Sequence, residues 1–416
     1  MRAVCCMLIV LIVASAVSLD ADLCSWCNCT RDGESGPITV VGCECKREEH
    51  KSLVLEQANM KNLTDVQNIS LISCSPVELK PKAFSELHKL NTLIIDAAEE
   101  VAIATEVFNT LSYLVIRDVR NLTLKEKSLQ NVTALSTIYL KKTGIAMLPQ
   151  GVIHNLSELA KLKLEMVTIG EVQSGAIQLS MNKALSVLIE HSEIGHIQEA
   201  GIVCPTIKEF ILENSTVKSA AKNSISIVAD ETVIKATTLE KKVTPDSFNI
   251  TSKTVSVIGN TFEHFPTGLL PDSGVAVSFF DNNVLDPDWD IILPTALGVT
   301  NSSNNRFSCS CSSKEKLIFK KDSVQLQSWL GKNYCLADCG LPLKRLREQC
   351  QNVSDKDNEI CKKIDDRKTA VNITTRTLPT DKSPTSAPPT TSPDSGCETI
   401  LTSSLLLIAS LIFTIL

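Results

Sequence analysis

The chain has 416 residues, 43% of them apolar, 4% aromatic and 21% charged, with a formal net charge of -6 at pH 7. Such a length admits an extended array with flanking segments, the scarcity of aromatics argues against a sandwich with an aromatic core, and charge without long single-sign blocks gives no footprint for nucleic acid. Six scattered histidines, none in H-E-x-x-H spacing, and the lack of a G-x-S-x-G elbow or a phosphate loop leave no constellation for catalysis, so no enzymatic activity, no metal and no cofactor are expected.

The N-terminus carries Arg2, the apolar run MLIVLIVASAV and an A-x-A site at Ala14 and Ala16. This predicts a secretory signal peptide over residues 1–18, because the run is too short to span a bilayer as an anchor. Sixteen cysteines then belong to an oxidising compartment. Eleven N-x-S/T sequons point the same way, at Asn28, Asn62, Asn68, Asn121, Asn131, Asn155, Asn214, Asn249, Asn301, Asn352 and Asn372.

Residues 19–49 hold Cys24, Cys27, Cys29, Cys43 and Cys45. Three readings compete for this cluster: a disulfide-stapled cap, a zinc site and a redox C-x-x-C. Secretion and the C-x-C doublets favour the cap, and five cysteines leave one over.

From Leu129 to Leu164 the apolar positions repeat at an offset of 24 residues: Leu129, Val132, Leu135, Ile138 and Leu140 recur as Ile153, Leu156, Leu159, Leu162 and Leu164. Spacings of three, three, three and two switch the period from turn-like to strand-like inside each unit, which is the leucine-rich repeat pattern. No single unit can bury these side chains, so the units stack. Strand starts over residues 50–300 are placed at His50, Val66, Leu90, Leu111, Leu135, Leu159, Leu185, Ile207, Asp230, Ser252 and Gly274. The predicted fold is an α/β-type repeat solenoid, a leucine-rich repeat horseshoe with a parallel concave β-sheet, a short or irregular convex side and disulfide-stapled caps.

The asparagine that normally bonds the neighbouring turn, eight positions after each start, is read only at Asn260 and Asn282. Elsewhere the position holds residues such as Cys74, Val119, Thr143, Glu193, Ser215 and Thr238, so the middle of the solenoid is expected to be less regular. Cys74 and Cys204 read as buried thiols, with pairing of Cys74 to the spare cap cysteine as the alternative.

Residues 301–361 form a second cysteine cluster, Cys309, Cys311, Cys335, Cys339, Cys350 and Cys361, expected to cap the C-terminal end. Residues 362–394 turn rich in Thr, Ser and Pro and predict an extended stalk. Residues 395–416 follow small residues with a spacer and an apolar tail, the layout of a glycosylphosphatidylinositol signal with Ser395 as attachment point. The rival is a C-terminal transmembrane helix, for which the uninterrupted tail of Leu405 to Leu416 is short.

Signal peptide, cysteine-flanked repeats, stalk and anchor signal together resemble cell-surface leucine-rich repeat glycoproteins; connectin, chaoptin and the Nogo receptor share the layout. The resemblance implies a curved, non-enzymatic binding protein on the outer face of the plasma membrane. Its partner would be an extracellular protein ligand or co-receptor, and homophilic association is one form of this. Recognition of microbial lipid or glycan is the alternative.

Alternation along the strands places positions two, four and six after each start on the ligand-facing side. The predicted binding residues are Ile94, Tyr113, Val115, Arg117, Tyr139, Lys141, Lys163, Val187, Ile189, His191 and Ile211. Contiguous apolar surface rimmed by charge marks a binding site.

Overall fold

The computed structural model describes residues 23–25, 27–33, 35–45, 52–179, 182–270, 275–287, 301–309, 324–336 and 342–351. All of them fall in the first of two compact units, Met1–Lys368; the second, Thr369–Leu416, holds none. The signal peptide, the stalk, the anchor signal with Ser395, Cys311, Cys339, Cys361, Asn352 and Asn372 lie outside the described residues.

The described residues form a parallel-strand repeat solenoid. Its main sheet runs through β1 (Asn28–Arg31), β2 (Ile38–Glu44), β3 (Asn68–Ile72), β4 (Thr92–Asp96), β5 (Tyr113–Val119), β6 (Thr137–Leu148) and β7 (Lys161–Glu165). It continues through β8 (Ser186–Glu190), β9 (Ile202–Glu213), β10 (Ile225–Lys235), β11 (Phe248–Ile258), β12 (Ala276–Phe280) and β13 (Asn301–Ser303). From β2 onward each strand pairs in parallel with the next, while β1 pairs antiparallel with β2.

Register follows the leucine pattern. β6 pairs with β7 at a 24-residue step that superposes Ile138 on Leu162 and Leu140 on Leu164. All ten apolar positions of those two units are at most 3% exposed. Each such side chain contributes roughly 1.5–3 kcal/mol by burial, so they are the main stabilising contacts of a coil.

From β4 to β12 each main strand meets one left-handed residue just past its outward rows, inside β5 and β6 and directly after the others. Ala97, Asp118, Lys142, Met166, His191, Asn214, Ala236 and Asp281 take φ between +47° and +56°, and Gly259 fills the same place at +68°. A second run of short strands follows. Leu53–Leu55, Val77–Leu79, Glu100–Ile103 and Asn121–Leu124 form a four-stranded sheet. Beyond it the C-terminal end of β6 pairs with Thr168–Val172, then come Glu193–Ile197, Thr216–Ala220 and Thr238–Val243. The stretch that follows each of these main strands is thus short strand and turn. The helices α1 (Val324–Lys332) and α2 (Leu343–Gln351) belong to the C-terminal cap, and Cys350 lies on α2.

Three predicted strand starts need correction. The first parallel strand of the main sheet is β2, inside the stretch read as cap, and Leu53–Leu55, after the start placed at His50, belongs to the second sheet instead. In the seventh unit Leu185 packs where Leu159 does in the sixth, but Ser186 begins the strand one residue later, whereas Lys161 begins it two residues after Leu159. That deletion flips the parity. In the ninth unit Ala229, and not Asp230, pairs with Ile207.

The turn ladder is longer than the sequence showed. Asn260 Oδ1 accepts the Thr237 N–H at 2.8 Å, Asn282 Oδ1 that of Asn260 at 2.9 Å, and Asn305 Oδ1 that of Asn282 at 3.0 Å. Asn333 Oδ1 ends the series on the Asn305 N–H at 3.0 Å. The Nδ2 groups of Asn260, Asn282 and Asn305 donate to the Ile234, Val257 and Phe279 carbonyls. Further back hydroxyls substitute, at Ser192 and Ser215, which accept from Val167 and Ser192 backbone at 3.0 and 3.1 Å. The ladder residues are therefore Ser192 and Thr237 rather than Glu193 and Thr238. Register shifts fall at Cys204/Ile207 and Val217/Ser219, within this hydroxyl-built stretch.

Disulfides join Cys24 to Cys29, Cys27 to Cys43, Cys45 to Cys74 and Cys309 to Cys335. Cys74 is thus not a free thiol: the spare cap cysteine, Cys45, reaches it and ties the cap to the coil behind β3. Cys204 is free and fully buried, and burial pushes its thiol up to about 12.

Candidate protein-binding face

Strand alternation divides the main sheet into buried rows and three outward rows. The central outward row follows from the register as Ser70, Ile94, Val115, Tyr139, Lys163, Leu188, Ile211, Val233, Ser256 and Ser278, one residue per strand from β3 to β12. Neighbouring strands lie about 4.8 Å apart, so side chains in one row touch from coil to coil. On one side run Thr92, Tyr113, Thr137, Lys161, Ser186, Glu209 and Glu231. On the other run Asp96, Arg117, Lys141, Glu165, Glu190, Glu213 and Lys235.

Of the predicted binding residues, Ile94, Tyr113, Val115, Arg117, Tyr139, Lys141, Lys163 and Ile211 stand on these rows. Val187 and Ile189 do not: they are 1% and 2% exposed, in the core, and Leu188 projects in their place. His191 is exposed but sits in the left-handed turn beyond β8, with Glu190 on the row. All three corrections come from the one-residue deletion after Leu185. The ninth-unit shift likewise sends Ile234 inward and Val233 outward.

The face changes character along its length. Tyr113 is 39% exposed beside the half-buried Ile94 and Val115, an apolar group bounded by the Arg117–Asp96 ion pair at 2.6 Å. Next comes a charge network. Glu165 accepts from the Tyr139 hydroxyl at 2.7 Å and pairs with Lys141 at 2.8 Å and Lys163 at 3.0 Å. Lys163 also reaches Glu190 at 3.0 Å and lies 5.7 Å from the centre of the Tyr139 ring. Hydrogen bonding by Lys141 and Tyr139 holds the Glu165 carboxyl down at about 2, against partial burial that opposes it. Burial, then the bond to Glu165, raises the Tyr139 phenol, and the bond to Glu165 raises the Lys141 ammonium. Beyond the network Leu188, Ile211 and Val233 run between Glu209 and Glu231 on one flank and Glu190 and Glu213 on the other, with Lys235 paired to Glu213 at 2.7 Å.

Eight of the nine described sequon asparagines are exposed, and Asn68 is half-buried. Three of them lie on the outward rows. Asn28 on β1 is opposite Gly42, Asn68 is on β3, and Asn301 on β13 is beside Ser278. From β4 to β12 the outward rows carry no sequon, over nine strands or about 38 Å. Asn214 lies in the turn just past Glu213.

No family model and no curated protein sequence matches this chain. Among solved structures, it is similar to the crystal structure of a leucine-rich repeat protein from Bacteroides thetaiotaomicron, at 13% identity and a TM-score of 0.38. The match covers 68% of this chain and 41% of that one, so the chain spans about two fifths of that protein's length. The fold assignment rests on the chain's own strand register.

Proposed function

We propose that this chain is a non-enzymatic cell-surface glycoprotein that binds a protein partner through the outward face of the main sheet between β4 and β12. The observation that carries this reading is the distribution of sequons: sugars would stand at both ends of the face, and none would stand on its three rows over the nine strands between, the Asn249 sequon lying at the far N-terminal end of β11, beside Ser226 and off those rows. A surface that repeatedly accepts sugars elsewhere and stays bare over about 38 Å is one kept for contact. Three rows about 13 Å across give roughly 500 Å² of sheet surface, and the rims bring this toward the roughly 800 Å² per partner of a stable interface.

Chemistry along the face fits a protein more closely than a lipid. The apolar row is divided at Lys163, whose ion pairs with Glu165 and Glu190 would meet an acyl chain at mid-length. A protein can answer the apolar thirds and the charged middle separately, with Tyr113 as an aromatic anchor. The Tyr139–Lys141–Lys163–Glu165 cluster is already bonded internally, so little side-chain ordering is left for the moment of binding. The secretory route, the stalk and the lipid anchor complete the reading, placing the face outside the cell at the plasma membrane.

Two experiments test it. Replacing Ile94 and Val115 together with Asp should abolish capture by a panel of cell-surface ectodomains while surface level stays normal. Phosphatidylinositol-specific phospholipase C should release the protein from intact cells. Retention there would remove the anchor and leave the binding face untouched.

A further inference from the structure

The two ends of the main sheet are finished differently. At the C-terminal end α1 packs on β13: the Trp329 indole N–H donates to Ser302 Oγ at 3.0 Å, and the Asn304 N–H reaches the Lys332 carbonyl at 2.7 Å. At the N-terminal end the last strand is β1, only four residues long, paired with β2 along one side. Among the described residues no strand pairs with its other edge. An unpaired strand edge is a template for another strand. Disulfides Cys24–Cys29 and Cys27–Cys43 pin β1 in place, so the edge stays formed.

Asn28 and Thr30 are the first and third residues of a sequon, and both are exposed. They pair with Gly42 and Val40, so both project from the outward face of the edge strand. Val40, beside them, is 36% exposed. The strand that lies open to a neighbour therefore carries its own acceptor site for a bulky polar group.

We propose that the sugar on Asn28 guards this edge and keeps β1 from pairing antiparallel with the β1 of a second copy. Such a pairing is isologous and would fuse two main sheets into one continuous sheet. It would also bring the two Asn28 side chains onto the same face within about 10 Å, less room than two branched glycans need. Arg31 at the end of β1 adds a charge of the kind that blunts edges, but one exposed charge is a weaker barrier than a glycan.

The experiment uses the full chain in cultured animal cells, as two differently tagged copies expressed together, with glycopeptide mass spectrometry of Asn28 and co-capture from mild detergent. The wild-type chain should carry a glycan at Asn28 and show background co-capture. Asn28→Gln and Thr30→Val each remove the sequon, the second with an isosteric strand-favouring residue, and each should raise co-capture at least fivefold. Adding Thr30→Lys to Asn28→Gln should return it to background through edge charge, and Asn301→Gln should change nothing. An unmodified Asn28 in the wild-type chain, or background co-capture of both sequon variants at normal surface level, would overturn the proposal. Neither result bears on partner binding by strands β4 to β12.

Discussion

The Tyr139 hydroxyl donates to Glu165 at 2.7 Å from one coil to the next, and the lysines on either side of that bond, Lys141 and Lys163, both pair with the same carboxylate. One acid thereby joins two coils and three donors on the outward face. Its titration reports on the integrity of that face.

Glu165 has an ordinary value of 4.5 and is held at about 2. A depressed carboxylate contributes stability that is fully present above its unfolded value and is lost as pH falls through its folded value. The window is therefore pH 4.5 down to about 2. Thermal unfolding across that window should show the wild-type midpoint falling more steeply than that of Glu165→Gln. Parallel curves would mean that the network contributes nothing to the folded state.

Leu188 and Ile189 are adjacent and opposite in fate. Leu188→Asp places a charge on the outward row and should leave secretion near normal. Ile189→Asp puts an unpaired carboxylate into the core and should cost several kcal/mol, enough to hold the chain back in the cell. Secretion levels of the two variants, measured side by side, check the register directly.

Asn282 is fully buried and bonds both neighbours: its Oδ1 accepts from the Asn260 backbone and side chain, and its Nδ2 donates to Val257 and Asn305. Asn282→Ala leaves a buried N–H and a buried C=O without partners, at about 1–3 kcal/mol each. Ser215→Ala removes one acceptor and should cost about 1–2 kcal/mol. Hydrogen exchange of the Asn260 and Ser192 amides in the two variants reads the loss locally.

Gly170 and Gly195 are stacked in the second sheet. A Cβ on Gly170 would lie 2.4 Å from the Ala146 carbonyl oxygen, and one on Gly195 would lie 2.3 Å from that of Gly170. Backbone cannot yield there as a side chain tip could. Gly195→Val should lower the unfolding midpoint clearly, while Gly33→Ala, with open space around its Cβ, should act only through its left-handed backbone at φ +75°.

The repeat was legible because Leu129 to Leu164 keeps its spacing through two full units, and that spacing is the core. It failed where a deletion left the leucines intact. The stretch Leu185, Val187, Leu188, Ile189 is apolar at both parities, so composition could not tell which residues face inward. Pairing of Cys45 with Cys74 was open in the sequence because Cys74 stands at a ladder position that a buried thiol also suits. The Glu165 network was not legible at all: Tyr139 and Lys141 lie 26 and 24 residues before Glu165 and meet it only when the coil-to-coil register is known. Asn305 and Asn333 were hidden by their place in the stretch read as cap. Only the asparagine chain running on from Asn282 would have revealed them.

A sugar introduced on the bare face tests the central claim most directly. Ile211→Asn with Glu213→Thr creates a sequon in the middle of the outward rows, and Glu240→Asn with Lys242→Thr creates one on the second sheet. Both variants are displayed on cells, confirmed as glycosylated, and assayed against the ectodomains that the wild-type chain captures. Loss of capture by more than tenfold in the first variant and none in the second is the expected result. Undiminished capture by the first variant would contradict the account and move the partner to the caps or the opposite side.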